Sequence, residues 1–140
     1  NVAACGLKVI TYNFMPVLDW LRTDVAYPMT DGSTALYFNR TDYIVFDLFL
    51  LKRPDSKEDY TGTELKKATE RFGGMSEEQK NKLFGNMMLG LPGSDESFTP
   101  AQVLTALKTY DGINPDKLKE HLFYFLHLIQ ILQNEDLIIR

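Results

Sequence analysis

Apolar residues at the start of the chain crowd into short runs broken by polar clusters. Val9, Ile10, Tyr12 and Phe14 favour extended backbone through β-branching and aromatic bulk, and Pro16 removes a donor that a continuing strand would need. Asn13, Asp19, Trp20, Arg22 and Asp24 cluster where this strand gives out. Further on, Ala26-Tyr27-Pro28 and Ala35-Leu36-Tyr37-Phe38 flank Thr30-Asp31-Gly32-Ser33. The Asp-Gly step supplies the positive backbone angles of a tight turn, so a β-hairpin is predicted. From about Asp42 to Leu51 large apolar residues point in almost every direction, which predicts a helix buried on more than one face and ended by Lys52-Arg53-Pro54.

The second half is punctuated by helix caps. After the turn-rich segment Asp55 to Tyr60, Thr61 and Glu64 form a capping-box pattern, predicting a helix to about Phe72 that Gly73-Gly74 breaks. Ser76 and Gln79 repeat the pattern ahead of a helix ending near Gly90, and Leu91 to Asp95 reads as a loop. Thr99-Pro100-Ala101-Gln102 combines a cap, a first-turn proline and a third-position glutamine. Asn114-Pro115 opens the last helix, in which Leu118, Leu122, Phe125, Leu126 and Ile129 recur at intervals of three and four. Phe123, Tyr124, Leu128 and Ile131 occupy its other faces, so the helix is apolar nearly all round and expects cover on both sides. Leu137-Ile138-Ile139 looks like the start of another strand.

Composition narrows the function classes. A chain of 140 residues with 44% hydrophobic content is a folded chain with ample core material. A formal charge of −4 without a Lys/Arg stripe offers no footprint for nucleic acid. The apolar stretches Tyr43 to Leu51 and Leu122 to Leu132 fall short of the roughly 20 residues a bilayer demands, so no membrane association is expected. Cys5 is the only cysteine, which rules out an internal disulfide and fits a cytoplasmic origin. Asn39-Arg40-Thr41 matches a glycosylation acceptor that a cytoplasmic chain would never use. The opening residues carry neither an initiator Met nor a signal-peptide pattern, and the expectation is a piece cut from a longer protein.

The run Tyr12-Asn13-Phe14-Met15-Pro16, Val17-Leu18-Asp19-Trp20 and Arg22-Thr23-Asp24 resembles the mannonate dehydratase family. The likeness continues in the family's order through Asp31-Gly32-Ser33-Thr34-Ala35-Leu36, Leu51-Lys52-Arg53-Pro54, Ala68-Thr69-Glu70-Arg71-Phe72, Gly90-Leu91-Pro92-Gly93 and Tyr110-Asp111-Gly112-Ile113. This resemblance implies a bacterial, cytoplasmic, homo-oligomeric lyase that takes water from D-mannonate to give 2-keto-3-deoxy-D-gluconate, with Mn²⁺ or Fe²⁺ in the parent enzyme. Such a reaction needs a base beside the carboxylate, an acid for the leaving hydroxyl and a cation to stabilise the enediolate. The resemblance places the metal ligands on later strands, so none is expected on this chain and the piece alone is expected to be inactive. His121 and His127 lie six apart on a helix, face different directions and read as ordinary helix residues.

Asn13, Arg22, Trp20, Asp19 and Tyr12 are the candidate substrate-binding residues. Barrel chemistry sits at the C-terminal ends of strands, and a guanidinium suits a sugar-acid carboxylate. Plainer roles stand beside these: Arg22 pairing with Asp19 or Asp24, Asn13 satisfying loop backbone, Tyr12 pointing into a barrel core, Trp20 packing and Asp19 structural. Glu77-Glu78, Glu64/Lys67 and Lys80/Phe84 read as a solvated helix face. No catalytic acid or base stands out.

The fold expected is an α/β fragment of a TIM (β/α)8 barrel, mostly helical, forming one partial domain. Residues 1–24 would give a barrel strand and active-site loop, 25–39 the hairpin, 40–112 a helical insertion, and 113–140 a barrel helix and the start of the next strand. The rival readings are a non-catalytic helical interaction module and another barrel sugar-acid enzyme such as an isomerase.

Overall fold

The computed structural model describes residues 9–11, 14, 17, 20–90, 97–133 and 138–139. The chain divides into two compact units, Asn1–Pro16 with Leu107–Arg140, and Val17–Ala106. Helix dominates the described residues; they contain two separate two-stranded sheets and no closed barrel.

In the first unit, β1 (Val9–Ile10) runs parallel to β4 (Ile138–Ile139), with Val9 opposite Ile138 and Ile10 opposite Ile139. Ile138 and Ile139 of the terminal apolar run are therefore a strand, as its composition predicts, while Leu137 lies outside the described residues. The expected opening strand is shorter among the described residues, because Thr11 and Phe14 lie outside regular structure. Helix α5 (Pro115–Gln133) leads towards β4 and begins where the Asn114 side chain accepts from Lys117 N–H at 2.8 Å. Leu118, Leu122 and Leu126 form its half-buried stripe. Phe125, expected on that stripe, is instead 54% exposed, and Phe123, Tyr124 and Leu128 are exposed as well.

The second unit holds the described core. Strands β2 (Asp24–Pro28) and β3 (Thr34–Tyr37) form the antiparallel hairpin, and the turn between them is closed by Gly32 N–H donating to Met29 O at 3.1 Å. Only Gly32 of the Asp-Gly step takes a positive φ, +85°, where a side chain would be strained. Asn39 caps α1 (Arg40–Val45) by accepting from the N–H groups of Thr41 and Asp42.

The predicted Asp42–Leu51 helix exists, but it changes pitch: Phe46–Leu51 is π-helical and stops at Lys52, whose φ is +56°. A 3₁₀ turn (Ser56–Asp59) leads to α2 (Gly62–Gly73) and α3 (Glu77–Met87), each opened by the predicted reciprocal capping box. The Thr99/Gln102 box opens α4 (Pro100–Lys108) in the same way. Ile44, Val45, Phe46, Ala68, Leu83 and Met87 are buried between these helices, with Phe49 stacked on Phe72 at 4.5 Å between ring centroids.

One charged cluster is built into this core. Asp47, 3% exposed, receives Arg53 Nε on Oδ1 at 2.9 Å and Arg53 Nη2 on Oδ2 at 2.8 Å, and the Tyr60 hydroxyl donates to Oδ2 at 2.5 Å. A buried carboxylate is tolerated when its oxygens are so occupied. The cluster ties the π segment to the residues on either side of the 3₁₀ turn. Lys80, read from the sequence as part of a solvated face, instead lies 4.5 Å from the Phe72 ring centroid and pairs with Glu77 at 2.7 Å.

Candidate functional site

Of the five sequence candidates, Tyr12, Asn13 and Asp19 lie outside the described residues, while Trp20 and Arg22 lie in the segment entering β2. Trp20 is 49% exposed, and its carbonyl accepts from Arg22 Nη1 at 2.8 Å.

Arg22 is buried, at 6% exposure. The same Nη1 donates to the carbonyl of Gly90 at 2.7 Å, so this side chain ties the approach to β2 to the residues just beyond α3. Of the two carboxylates that could have paired with it in the plainer reading, Asp19 lies outside the described residues and Asp24 pairs with Lys82 at 3.2 Å. Among the described residues no carboxylate lies within ion-pair distance of Arg22, and its Nε is enclosed without an acceptor. The guanidinium's described acceptors are two carbonyl dipoles, those of Trp20 and Gly90.

Two further buried polar residues, neither of them among the sequence candidates, complete the junction. Thr23 N–H donates to Tyr37 O at 2.8 Å, and Thr23 Oγ1 accepts from Asn39 N–H at 2.9 Å, which closes the base of the hairpin. The Thr23 carbonyl accepts from Asn86 Nδ2 at 2.9 Å, in a buried bond reaching from the last turn of α3. Asn86 falls three residues after Leu83 and one before Met87, both buried. A carboxamide on an otherwise apolar stripe is the signal that could have found it, because such a group needs an internal partner. Arg22, Thr23 and Asn86 thus fix the backbone on which Trp20 is carried.

No three His, Cys, Asp or Glu side chains gather as a metal-ligand group among the described residues. His121 and His127 are exposed on α5. The donors among the described residues do not fit a Mn²⁺ or Fe²⁺ centre. No helix of the described residues is long and apolar enough to cross a membrane.

The family profile described as D-mannonate dehydratase (UxuA) matches residues 1–138. The chain belongs to the D-mannonate dehydratase family. Mannonate dehydratase of Marinomonas sp. (strain MWYL1) is 44% identical over 129 residues, a stretch that is 92% of this chain and 33% of the relative. Mannonate dehydratase of Chromohalobacter salexigens is 41% identical over 129 residues, with the same shares covered. The chain spans about a third of the length of these curated mannonate dehydratases. Arg22, Thr23, Asn86 and Gly90 all fall inside the part matched by the D-mannonate dehydratase profile.

Proposed function

We propose that this chain forms part of a mannonate dehydratase, a lyase that removes water from D-mannonate to give 2-keto-3-deoxy-D-gluconate, and that it contributes substrate contacts. Family membership over residues 1–138 supports the reaction class. The observation that carries the site is the buried Arg22 guanidinium without a described counter-ion, a group suited to a sugar-acid carboxylate. Trp20 is proposed as a wall beside the polyol, and Asn13, Asp19 and Tyr12, which lie outside the described residues, as further substrate-binding residues.

The parallel pairing of β1 with β4, and the place of α5 before β4 in the element order, support reading these elements as adjacent strands of a TIM barrel with the intervening helix. Residues 40–112 are then a helical insertion within one partial domain. The divalent cation of the reaction is proposed to be held by residues on later strands of the parent enzyme, and the chain alone is proposed to be inactive. The assembly proposed is a homo-oligomer in the bacterial cytoplasm.

The test is a chimera in which this chain replaces the matching third of the Marinomonas enzyme. The chimera is expected to dehydrate D-mannonate, and Arg22→Met in it is expected to raise KM by about tenfold or more, the scale of one lost charged hydrogen bond. A folded chimera without turnover overturns the reaction, and an unchanged KM overturns the role of Arg22. The second reading, a non-catalytic interaction module, draws on the exposed Phe123, Tyr124, Phe125 and Leu128 of α5. A stable natural oligomer of the 140-residue chain, with no turnover by the chimera, would favour it.

A further inference from the structure

The two strands of the hairpin differ in how their outer edges are protected. Among the described residues each is paired on one side only, which leaves its other edge open to a further strand. In β2 that edge is blunted. Pro28 lacks an N–H, and Asp24 is charged and pairs with Lys82 at 3.2 Å. A β-bulge also twists the strand: from Asp24 to Tyr27 the chain advances three residues while the partner strand moves two, from Tyr37 to Ala35. Ala26 N–H donating to Asp24 Oδ1 at 3.0 Å holds the bulge. By contrast, Thr34-Ala35-Leu36-Tyr37 of β3 contains no proline, no charge and no extra residue, and only its brevity limits what can pair with it.

Apolar surface is concentrated on the same hairpin. Val25, Tyr27, Met29, Leu36, Tyr37 and Phe38 are all exposed, and Leu36, at 50%, is the most exposed of them. Tyr37 stacks on Tyr27 with ring centroids 4.1 Å apart, and strand alternation puts Leu36 on the opposite face. A two-stranded ribbon with apolar side chains on both faces is marginal in water and gains from further strands. Charge says what kind of strand fits. Residues 32–38 carry none, and the first charged residues outside them, Asp31 before and Arg40 after, have opposite signs. A second β3 laid antiparallel sets the Asp31 end of one copy beside the Arg40 end of the other, whereas a parallel one would set like beside like.

We propose that β3 pairs antiparallel with β3 of a second copy of this chain, joining two hairpins into one four-stranded sheet across a two-fold axis. The inference rests on the homo-oligomer proposed above and names its surface. A two-fold normal to the sheet keeps each face on its own side, so residues directly opposite must point the same way. With the axis at Leu36, the Leu36 side chains of the two copies meet, and Ala35 of each lies opposite Tyr37 of the other. So short a ladder falls below the roughly 1,200 Å² of a standard interface, so the dimer is expected to be weak.

Sedimentation equilibrium of the purified chain, from about 10 μM to 1 mM, covers the range of so small an interface and is expected to show a monomer–dimer equilibrium. Leu36→Asp sets two carboxylates face to face and is expected to raise the dissociation constant about fivefold or more. Phe123→Asp, the same kind of change at a 67%-exposed site on α5, is expected to leave it unchanged. Leu36→Cys in a Cys5→Ser background is expected to give disulfide-linked dimers on mild oxidation, because opposite side chains lie within about 5 Å, close to disulfide reach. That milder variant reports the pairing even where Leu36→Asp loosens the hairpin. A chain that stays monomeric throughout overturns the inference. A dimer that Leu36→Asp leaves intact, that Phe123→Asp abolishes, or that does not crosslink through position 36 also overturns it, yet leaves the homo-oligomer standing. Turnover enters none of these measurements, so the dehydratase reading stands or falls separately.

Discussion

The Asn86 side-chain amide donates to the Thr23 carbonyl at 2.9 Å, a buried bond between residues 63 positions apart. It anchors the segment that carries Arg22 and Trp20 to the end of α3. That segment carries two of the residues proposed above to contact substrate.

Asn86→Ala is expected to destabilise the fold by about 1–3 kcal/mol, since it strands a buried carbonyl. Asn86→Asp keeps the shape but turns a carboxylate towards that carbonyl, so it should cost at least as much at neutral pH. Part of that loss should return on acidification, when the protonated carboxyl can donate. Urea unfolding at pH 7 and pH 4 checks both; equal stability of Asn86→Ala and the parent chain would remove Asn86 from the junction.

Tyr60 makes the chain sensitive to alkali. Burial first, then its hydrogen bond to the Asp47 carboxylate, pushes the phenol above its ordinary value. The unfolded phenol ionises near pH 10 while the folded one resists, so its contribution is complete below pH 10 and is lost as pH rises beyond it. Tyr60→Phe is expected to cost about 1.5–3 kcal/mol at pH 7, the scale of a hydrogen bond to a charged group. It should also flatten the alkaline limb of the stability profile. Melting temperatures from pH 7 to 11 provide the measurement, and parallel profiles for the two proteins would contradict the account.

Gly32 isolates a backbone effect. A Cβ built there meets nothing within 4 Å, so Gly32→Ala is opposed only by the positive φ of 85°. The expected loss is about 1–2 kcal/mol, with no change in packing. A denaturation midpoint that stays put would mean that the turn relaxes to another type.

Much of this fold is legible because its determinants are local. The Thr61/Glu64, Ser76/Gln79 and Thr99/Gln102 boxes each satisfy their own backbone donors within four residues, so the sequence alone marks where α2, α3 and α4 begin. The π segment is not legible, since a largely apolar run such as Phe46–Leu51, interrupted only by Asp47, reads alike at either pitch. The hairpin could be foreseen from Asp31-Gly32, but its bulge could not. The site is less visible still. Residue chemistry suggested carboxylate partners for Arg22, whereas its described acceptors are the carbonyls of Trp20 and Gly90, and a carbonyl at position 90 carries no label in the sequence. Thr23 and Asn86 escaped for the same reason, because their roles depend on which helix end lies beside which strand.

The pairing of Val9 with Ile138 joins nearly opposite ends of the chain. Closing so long a loop is entropically unfavourable until intervening structure shortens the path, whereas the capped helices and the hairpin need only nearby residues. Folding should therefore run from the middle outwards, with the parallel ladder zipped last. Amide exchange should find Ile10 and Ile139 opening well before the Asp47 cluster does.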